Sequence, residues 1–193
     1  HETRTPLNAI IGITSLLPHI EDAEERNHYI SLINHNNELL LNIINDVLDL
    51  SKIEAGHIEL APVWCNLSDL IDESCTECQP NVPEGVTLKK RYPATPNLIK
   101  QDPMRIKQVL SNLISNALKN TVQGYVEISY EMTPSETRIS VSDTGRGIPE
   151  EKLGIIFERF EKADAFIQGA GLGLPICRSI MEHMNGTIEV TST

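Results

Sequence analysis

The sequence predicts an α+β protein, an N-terminal antiparallel helical hairpin followed by an α/β sandwich, on three observations. Apolar positions repeat with a heptad period between residues 29 and 50, a spacing that a long helix lines up on one face. That period stops after Lys52-Ile53-Glu54-Ala55-Gly56, and a segment around Ile58–Trp64 with a proline marks a domain boundary. Beyond it, short strand-like runs mix with helical ones, the order expected of helices packed on a sheet.

Leu7, Ile10, Ile11 and Leu17 recur at three-to-four spacing and predict a first helix, which Pro18 ends. A second helix begins near Glu21-Asp22 and sets Tyr29, Ile33, Asn36, Leu40, Ile43, Val47 and Leu50 on one seam as far as about Ser51. Leu32, Leu39, Ile44 and Leu48 widen the apolar face beyond what one neighbour covers. A hairpin closed at Pro18–Glu21 would bury that face by pairing with a second copy as a four-helix bundle, so the periodicity predicts a homodimer. After the boundary come a helix at Leu67–Cys78 and short strands at Val86–Arg91 and Asn97–Lys100. A helix over Pro103–Lys119 then leads to a strand pair, Tyr125–Met132 and Thr137–Ser142, turning at Pro134-Ser135-Glu136. The last helix runs from about Pro175 to Met184, where Asn185-Gly186 stops it, and a final strand is expected at Thr187–Thr191.

With 193 residues, 40% of them hydrophobic and 22% charged, the chain has the composition of an ordinary globular protein. Its 16 Lys and Arg against 27 Asp and Glu leave a net charge of −11. Such a field repels nucleic acid and anionic lipid, and a phosphate ligand has to be neutralised locally. No apolar run approaches the ~18 residues of a bilayer span. The start, HETRTPLN, lacks the pattern of a signal sequence, so a soluble, unprocessed piece is expected. Four cysteines are too few for a disulfide scaffold and point to a reducing compartment. Cys75-Thr-Glu-Cys78 has metal-ligand spacing but no second pair, leaving two thiols on one helix face as the plainer reading beside zinc or redox chemistry.

Four stretches offer chemistry. In His1-Glu2-Thr3-Arg4-Thr5-Pro6, helical spacing sets Thr5 beside His1, and the Glu2 carboxylate can fix the tautomer of the imidazole and raise its nucleophilicity. Pro6 is expected to loosen the helix there, and a solvated terminal histidine is the plainer reading of these six residues. Asn112, Asn116 and Lys119, with Arg105 behind them, share one face of their helix, opposite Ile106, Val109, Leu110, Leu113, Ile114 and Ala117. Amide oxygens are hard neutral ligands suited to Mg²⁺, and the lysine adds positive charge for phosphates, although an ordinary solvated face has the same composition. Asp143-Thr144-Gly145-Arg146-Gly147 follows a strand, where the carboxylate can accept an adenine amine and the glycines let backbone approach a planar ligand. Asp-Thr-Gly also opens aspartic protease sites, but a second triplet and an all-β subunit are missing. In Gly169-Ala170-Gly171-Leu172-Gly173-Leu174-Pro175, alternating glycines before a helix can cradle phosphates on backbone N–H groups.

Taken in order, HETRTPLNAIIG, DPMRIKQVLSNLISNALKNT, VSDTGRGIP, FERFEK and GAGLGLPICRSIMEHMNGTIEV resemble the boxes of the two-component sensor histidine kinases. The resemblance spans nearly the whole chain. It implies a dimerisation and phosphotransfer hairpin at 1–56, a hinge at 57–63 and a catalytic ATP-binding domain of the gyrase, Hsp90 and MutL type at 64–193, C-terminally incomplete. By the same resemblance His1 is the phosphoacceptor, Glu2 its orienting base and Thr5 the residue that positions water in a phosphatase reaction. Asn116 is the Mg²⁺ ligand, with Asn112 and Lys119 beside the phosphates of ATP. Asp143 reads adenine, Gly145 and Gly147 shape its turn, Lys162 is a lid cation, and Gly169, Gly171 and Gly173 are lid glycines. The implied partners are a second copy of the hairpin and a response-regulator receiver domain, in a cytoplasmic fragment of a membrane-anchored sensor with no membrane contact of its own.

Several positions depart from that pattern. Asn120 stands where the family usually has an aromatic beside the nucleotide, Ala170 replaces a common Thr and Pro175 a common Ala. The segment between Phe160 and Gly169 is short for a lid. The rival readings are a dimeric signalling module with a degenerate, non-catalytic ATP-binding domain and a free-standing ATPase. Asn112 speaks against the ATPase, because an amide cannot abstract a proton from water.

Overall fold

The computed structural model describes residues 3–56, 59–93, 97–158 and 171–193. The described residues fall into two compact units, one of residues 3–56 with Gly171 and Leu172 and the other of residues 59–93, 97–158 and 173–193.

The first unit is a helical hairpin. Helix α1 spans Arg4–Leu16 and α2 spans Ala23–Glu54, with a single 3₁₀ turn at Leu17–His19 between them. Pro6 lies near the start of α1, and from there the helix continues without a break to Leu16. The carbonyl its missing N–H would meet is that of Glu2, so the loosening expected beside His1 lies outside the described residues. Asp22 starts α2 by accepting the Glu25 N–H at 3.0 Å. Along α2 the half-buried positions include Tyr29, Leu32, Ile33, Asn36, Leu39, Leu40, Ile43 and Leu50, so six of the seven seam positions face inward. Val47 is exposed, together with Leu41, Ile44 and Leu48 on the same helix and Leu7 and Ile11 on α1.

The second unit layers helices on a small sheet. Strands β1 (Val63–Asn66) and β3 (Leu98–Gln101) form an antiparallel pair. Strand β2 (Val86–Arg91) runs parallel to β4 (Gly124–Met132), which pairs antiparallel with β5 (Thr137–Asp143). Alternation on β4 sends Val126, Ile128 and Tyr130 into the core, with Val141 and Ile139 opposite the last two on β5. Helix α4 (Pro103–Asn120) packs on β4 and β5 and also touches α3 (Leu67–Cys78) and α6 (Gly173–His183). Its buried residues are Ile106, Val109, Leu110, Ile114, Ala117 and Leu118; Leu113 is half-buried. Ile71 of α3 and Ile176 and Ile180 of α6 complete the centre. A one-turn helix, α5, lies at Glu150–Leu153.

Two expectations need correcting. The strand expected at Thr187–Thr191 is irregular, because no ladder pairs with it among the described residues, and the Ser192 hydroxyl instead accepts the Ile148 N–H at 2.8 Å. Helix α6 starts at Gly173 rather than Pro175, and β1 and α5 were not expected. Cys75 and Cys78 are buried free thiols on α3; burial pushes the Cys75 thiol up to about 11 and raises Cys78 too, which leaves them protonated and inert at neutral pH.

Candidate functional site

Helix α4 is anchored at its start by Asp102. One carboxylate oxygen accepts the N–H groups of Met104 (3.0 Å) and Arg105 (3.2 Å), and the other accepts the Ala61 N–H at 3.0 Å. Burial pushes the Asp102 carboxyl up, but these three N–H donors outweigh it and hold the group below the usual carboxylate range. The cap therefore ties the approach to β1 to the helix that carries the candidate ligands. On that helix Arg105, Asn112 and Asn116 are half-buried and Lys119 is exposed, which keeps the amide face clear of the core. Arg105 also donates to the Gln108 side-chain oxygen at 2.7 Å.

The turn after β5 is built onto the far end of the same helix. Asp143 Oδ1 accepts the Gly145 N–H at 2.8 Å, closing a tight turn. Arg146 donates its N–H to the Asn120 carbonyl at 3.4 Å and its Nε to Asn120 Oδ1 at 3.2 Å. The Asn120 amide in turn donates to the Asn116 carbonyl at 2.7 Å, so it lies back along α4 toward the candidate ligand. A Cβ on residue 145 would clash with the Asn120 carbonyl oxygen and sit 2.8 Å from Asp143 Oδ1. Gly147 has φ +69°, and a Cβ there would lie 2.9 Å from Ser192 Oγ. Thr144 fastens the turn to β4, its hydroxyl accepting the Tyr125 N–H at 2.9 Å.

At the other end of the amide face, Gly173 opens α6 so close to Asn112 that a Cβ would lie 3.3 Å from the Asn112 side-chain oxygen. The structure thus brings together Asn112, Asn116, Lys119, Asp143, Gly145, Gly147 and Gly173 around one helix. A cavity of about 340 Å³ lies beside the turn, lined by Lys119, Asn120, Val122, Gln123 and residues 144–146. Gly171 has φ +66°, open to glycine without strain. Thr5 is exposed in the first turn of α1. His1, Glu2, Lys162 and Gly169 lie outside the described residues.

The side chains of Asn120 and Arg146 and the cap Asp102 were not assigned roles from the sequence. The signal for Arg146 was a cation between two turn glycines, and that for Asp102 was an Asp-Pro pair opening a helix. Among the described residues no group of three His, Cys, Asp or Glu could hold a metal, so a divalent cation here would depend on amide oxygen and ligand phosphates.

The model of the His Kinase A (phospho-acceptor) domain matches residues 1–56, and that of the histidine kinase-, DNA gyrase B- and HSP90-like ATPase matches residues 101–193. The sensor protein GacS of Pseudomonas syringae pv. syringae is 38% identical over 205 residues, covering 100% of this chain and 22% of its own length. The chain thus spans about a fifth of that relative. Full-length ShkA, solved in complex with AMPPNP, is 32% identical with a TM-score of 0.74 over 96% of this chain and 40% of its own. The catalytic domain of histidine kinase ThkA is 34% identical, with a TM-score of 0.57 over 65% of this chain and 82% of its own. In its complex with the response regulator TrrA, ThkA is 30% identical, with a TM-score of 0.71 over 96% of this chain and 53% of its own. Two matched domains in the expected order, on a hairpin and a helix-covered sheet, make this chain a member of the histidine kinases, a two-component sensor kinase core.

Proposed function

We propose that the chain binds MgATP on the α4 face and transfers the γ-phosphoryl group to His1, and that the phosphohistidine then passes it to an aspartate of a response-regulator receiver domain. The observation that carries this reading is the convergence of the α4 amide face, the Asp143–Gly147 turn and the start of α6 on one helix. The AMPPNP complex of ShkA and the TrrA complex of ThkA support its two ends, nucleotide and receiver.

In this reading Asp143 accepts the exocyclic amine of adenine, Asn112 and Lys119 face the phosphates, and Gly171 and Gly173 leave backbone N–H groups open to them. Asn116 would hold the Mg²⁺, which supplies charge neutralisation on the phosphates. A neutral His1 nitrogen attacks the γ-phosphorus in line, an N–P bond forms as the P–O bond to ADP breaks, and Glu2 takes the ring proton. Thr5 positions water when the phosphorylated regulator is hydrolysed instead. With a net charge of −11, local cations such as Lys119 and the lid residue Lys162 are needed to neutralise a triphosphate, and Gly169 offers it lid backbone N–H groups.

The division into 1–56, a hinge at 57–63 and 64–193 belongs to the same reading, since acceptor and nucleotide sit on different units and the hinge must let one reach the other. The hairpin forms a homodimer. We place the segment on the cytoplasmic side of its longer sensor, where ATP is present and buried thiols stay reduced; among the described residues no helix is long and apolar enough to cross a membrane.

Incubation with γ-labelled ATP tests the proposal. Label that survives base, is lost in acid and disappears in His1→Gln is the expected result. ATP binding without label would favour the non-catalytic signalling module.

A further inference from the structure

We infer that Arg178 is a positioning residue: its guanidinium, packed on the Phe157 ring, fastens the chain that leads to Lys162 onto helix α6 and so sets the preference of the site for ATP over ADP. The inference rests on the proposed binding of ATP at the α4 face with Lys162 as a phosphate cation, and it names the contact that holds the approach to that lysine.

Three observations lead there. After α5 the chain is pinned locally as far as Ile156: the Lys152 carbonyl accepts the N–H groups of Ile155 (3.0 Å) and Ile156 (3.1 Å), and the Ile156 side chain is buried. Phe157, the next residue, is half-buried, and the Arg178 guanidinium lies over its ring, 4.8 Å from the centroid. Helix α6, which carries Arg178, is itself fixed, with Ile176, Cys177 and Ile180 in the core and Gly173 opening it against Asn112. Arg178 is five residues past that opening, a rise of about 7.5 Å. Phe157 is thus tied to a rigid element that begins beside the amide face.

The chemistry of the two nucleotides then decides the role. ATP and ADP share base, ribose and two phosphates, and differ in a γ-phosphate whose charge needs a cation in a chain of net charge −11. Lys162 follows Phe157 by five positions, and five residues span no more than about 17 Å, so an anchor at Phe157 limits the volume that the lysine searches. The side chain of Arg178 is 50% exposed, so it is not needed to fill the core. Glu182, one turn on, stands 4.0 Å from Arg178 Nε and holds the guanidinium from its own helix as well. A cation on an aromatic face at such an exposed position contributes about twofold to fivefold in an equilibrium.

An arginine acting on the phosphates through its charge alone would also favour ATP, and the test separates the two. The protein is titrated calorimetrically with MgATP and, separately, with MgADP. Arg178→Ala is expected to lower the ratio of ATP to ADP affinity by about twofold to fivefold, with ADP itself within about 1.5-fold. Phe157→Leu, which keeps the charge and loses the ring, should lower the ratio as much, and the double variant no further, as for two groups acting as one unit. Arg178→Lys, which keeps a cation for the ring, should retain most of the preference. Neither Arg178→Ala nor Phe157→Leu should lower the ratio further in a Lys162→Ala background. Equal loss of ATP and ADP, an unchanged ratio in Arg178→Ala or in Phe157→Leu, additive losses in the double variant, or a full effect without Lys162 would each overturn the inference while leaving ATP binding in place. Failure of the unsubstituted protein to bind ATP would instead remove the proposed function, and this inference with it.

Discussion

A methyl group on residue 145 has no room: the Asn120 carbonyl oxygen blocks it, and the carbonyl carbon is 2.9 Å away. Both are backbone atoms in the last turn of α4 and cannot swing aside as a side chain would. Gly145→Ala must therefore lift the turn off the helix, at a cost of about 1–3 kcal/mol in urea unfolding and with more than about tenfold weaker ATP binding. Gly154→Ala is the control, since a Cβ there meets nothing within 4 Å and φ is −71°; it should stay within about 0.5 kcal/mol. An unchanged Gly145→Ala variant would show that the turn is not docked as described. At this scale the sequence marked Gly145 as a residue that shapes the Asp143 turn, and the Asp143–Gly145 bond bears that out. The end of α4 adds a second reason for glycine there, since its backbone excludes a side chain. Spacing along a strand and turn cannot reveal that, because Asn120 is 25 positions away and its carbonyl is invisible in a pattern of side chains.

Helix α4 was legible almost to the residue, from Pro103 at its start to Lys119 one residue short of its end, because an Asp-Pro opening and an apolar stripe are local signals. Strands were less so. Tyr125–Met132 and Thr137–Ser142 alternate clearly and were found within one residue at either end. Val63–Asn66 is too short to alternate and depends on its partner β3, while Thr187–Thr191 alternates well and forms no ladder. What the pattern did not show at all is the third bond to Asp102, from the Ala61 N–H, across 41 positions. Asp102→Ala removes all three accepted N–H bonds and should cost about 1–3 kcal/mol. Asp102→Asn keeps a capping oxygen, and its loss should be smaller. The sign with pH follows from the depressed carboxyl: its contribution is complete above the unfolded carboxylate range and disappears as pH falls through the lower folded value. Urea midpoints measured from neutral pH downward should therefore fall more steeply for the unsubstituted protein than for Asp102→Asn. Parallel curves would show that the carboxylate charge contributes nothing.

Seen whole, the hairpin unit leaves an apolar face open that no pattern of its own chain closes: Leu41 is 59% exposed and Leu48 53%, with Ile44 and Val47 beside them and Leu7 and Ile11 on α1. The sequence reading anticipated this, because the seam was wider than one neighbouring helix could cover, and the proposed second copy is what would cover it. In a two-fold interface each substitution occurs twice. Burying a leucine contributes about 1.5–3 kcal/mol, so Leu48→Lys should weaken dimerisation by about 3–6 kcal/mol, two to four decades in Kd. Sedimentation of the whole protein across a dilution series would measure it, with ATP binding by the second unit unchanged as the check on folding. Salt gives an independent reading of the same interface. Two chains of net charge −11 repel each other, so added salt should tighten an association driven by apolar surface, whereas one driven by opposite charges would loosen. A dimer that survives Leu48→Lys unchanged, or that dissociates as salt is raised, would place the contact somewhere other than this face.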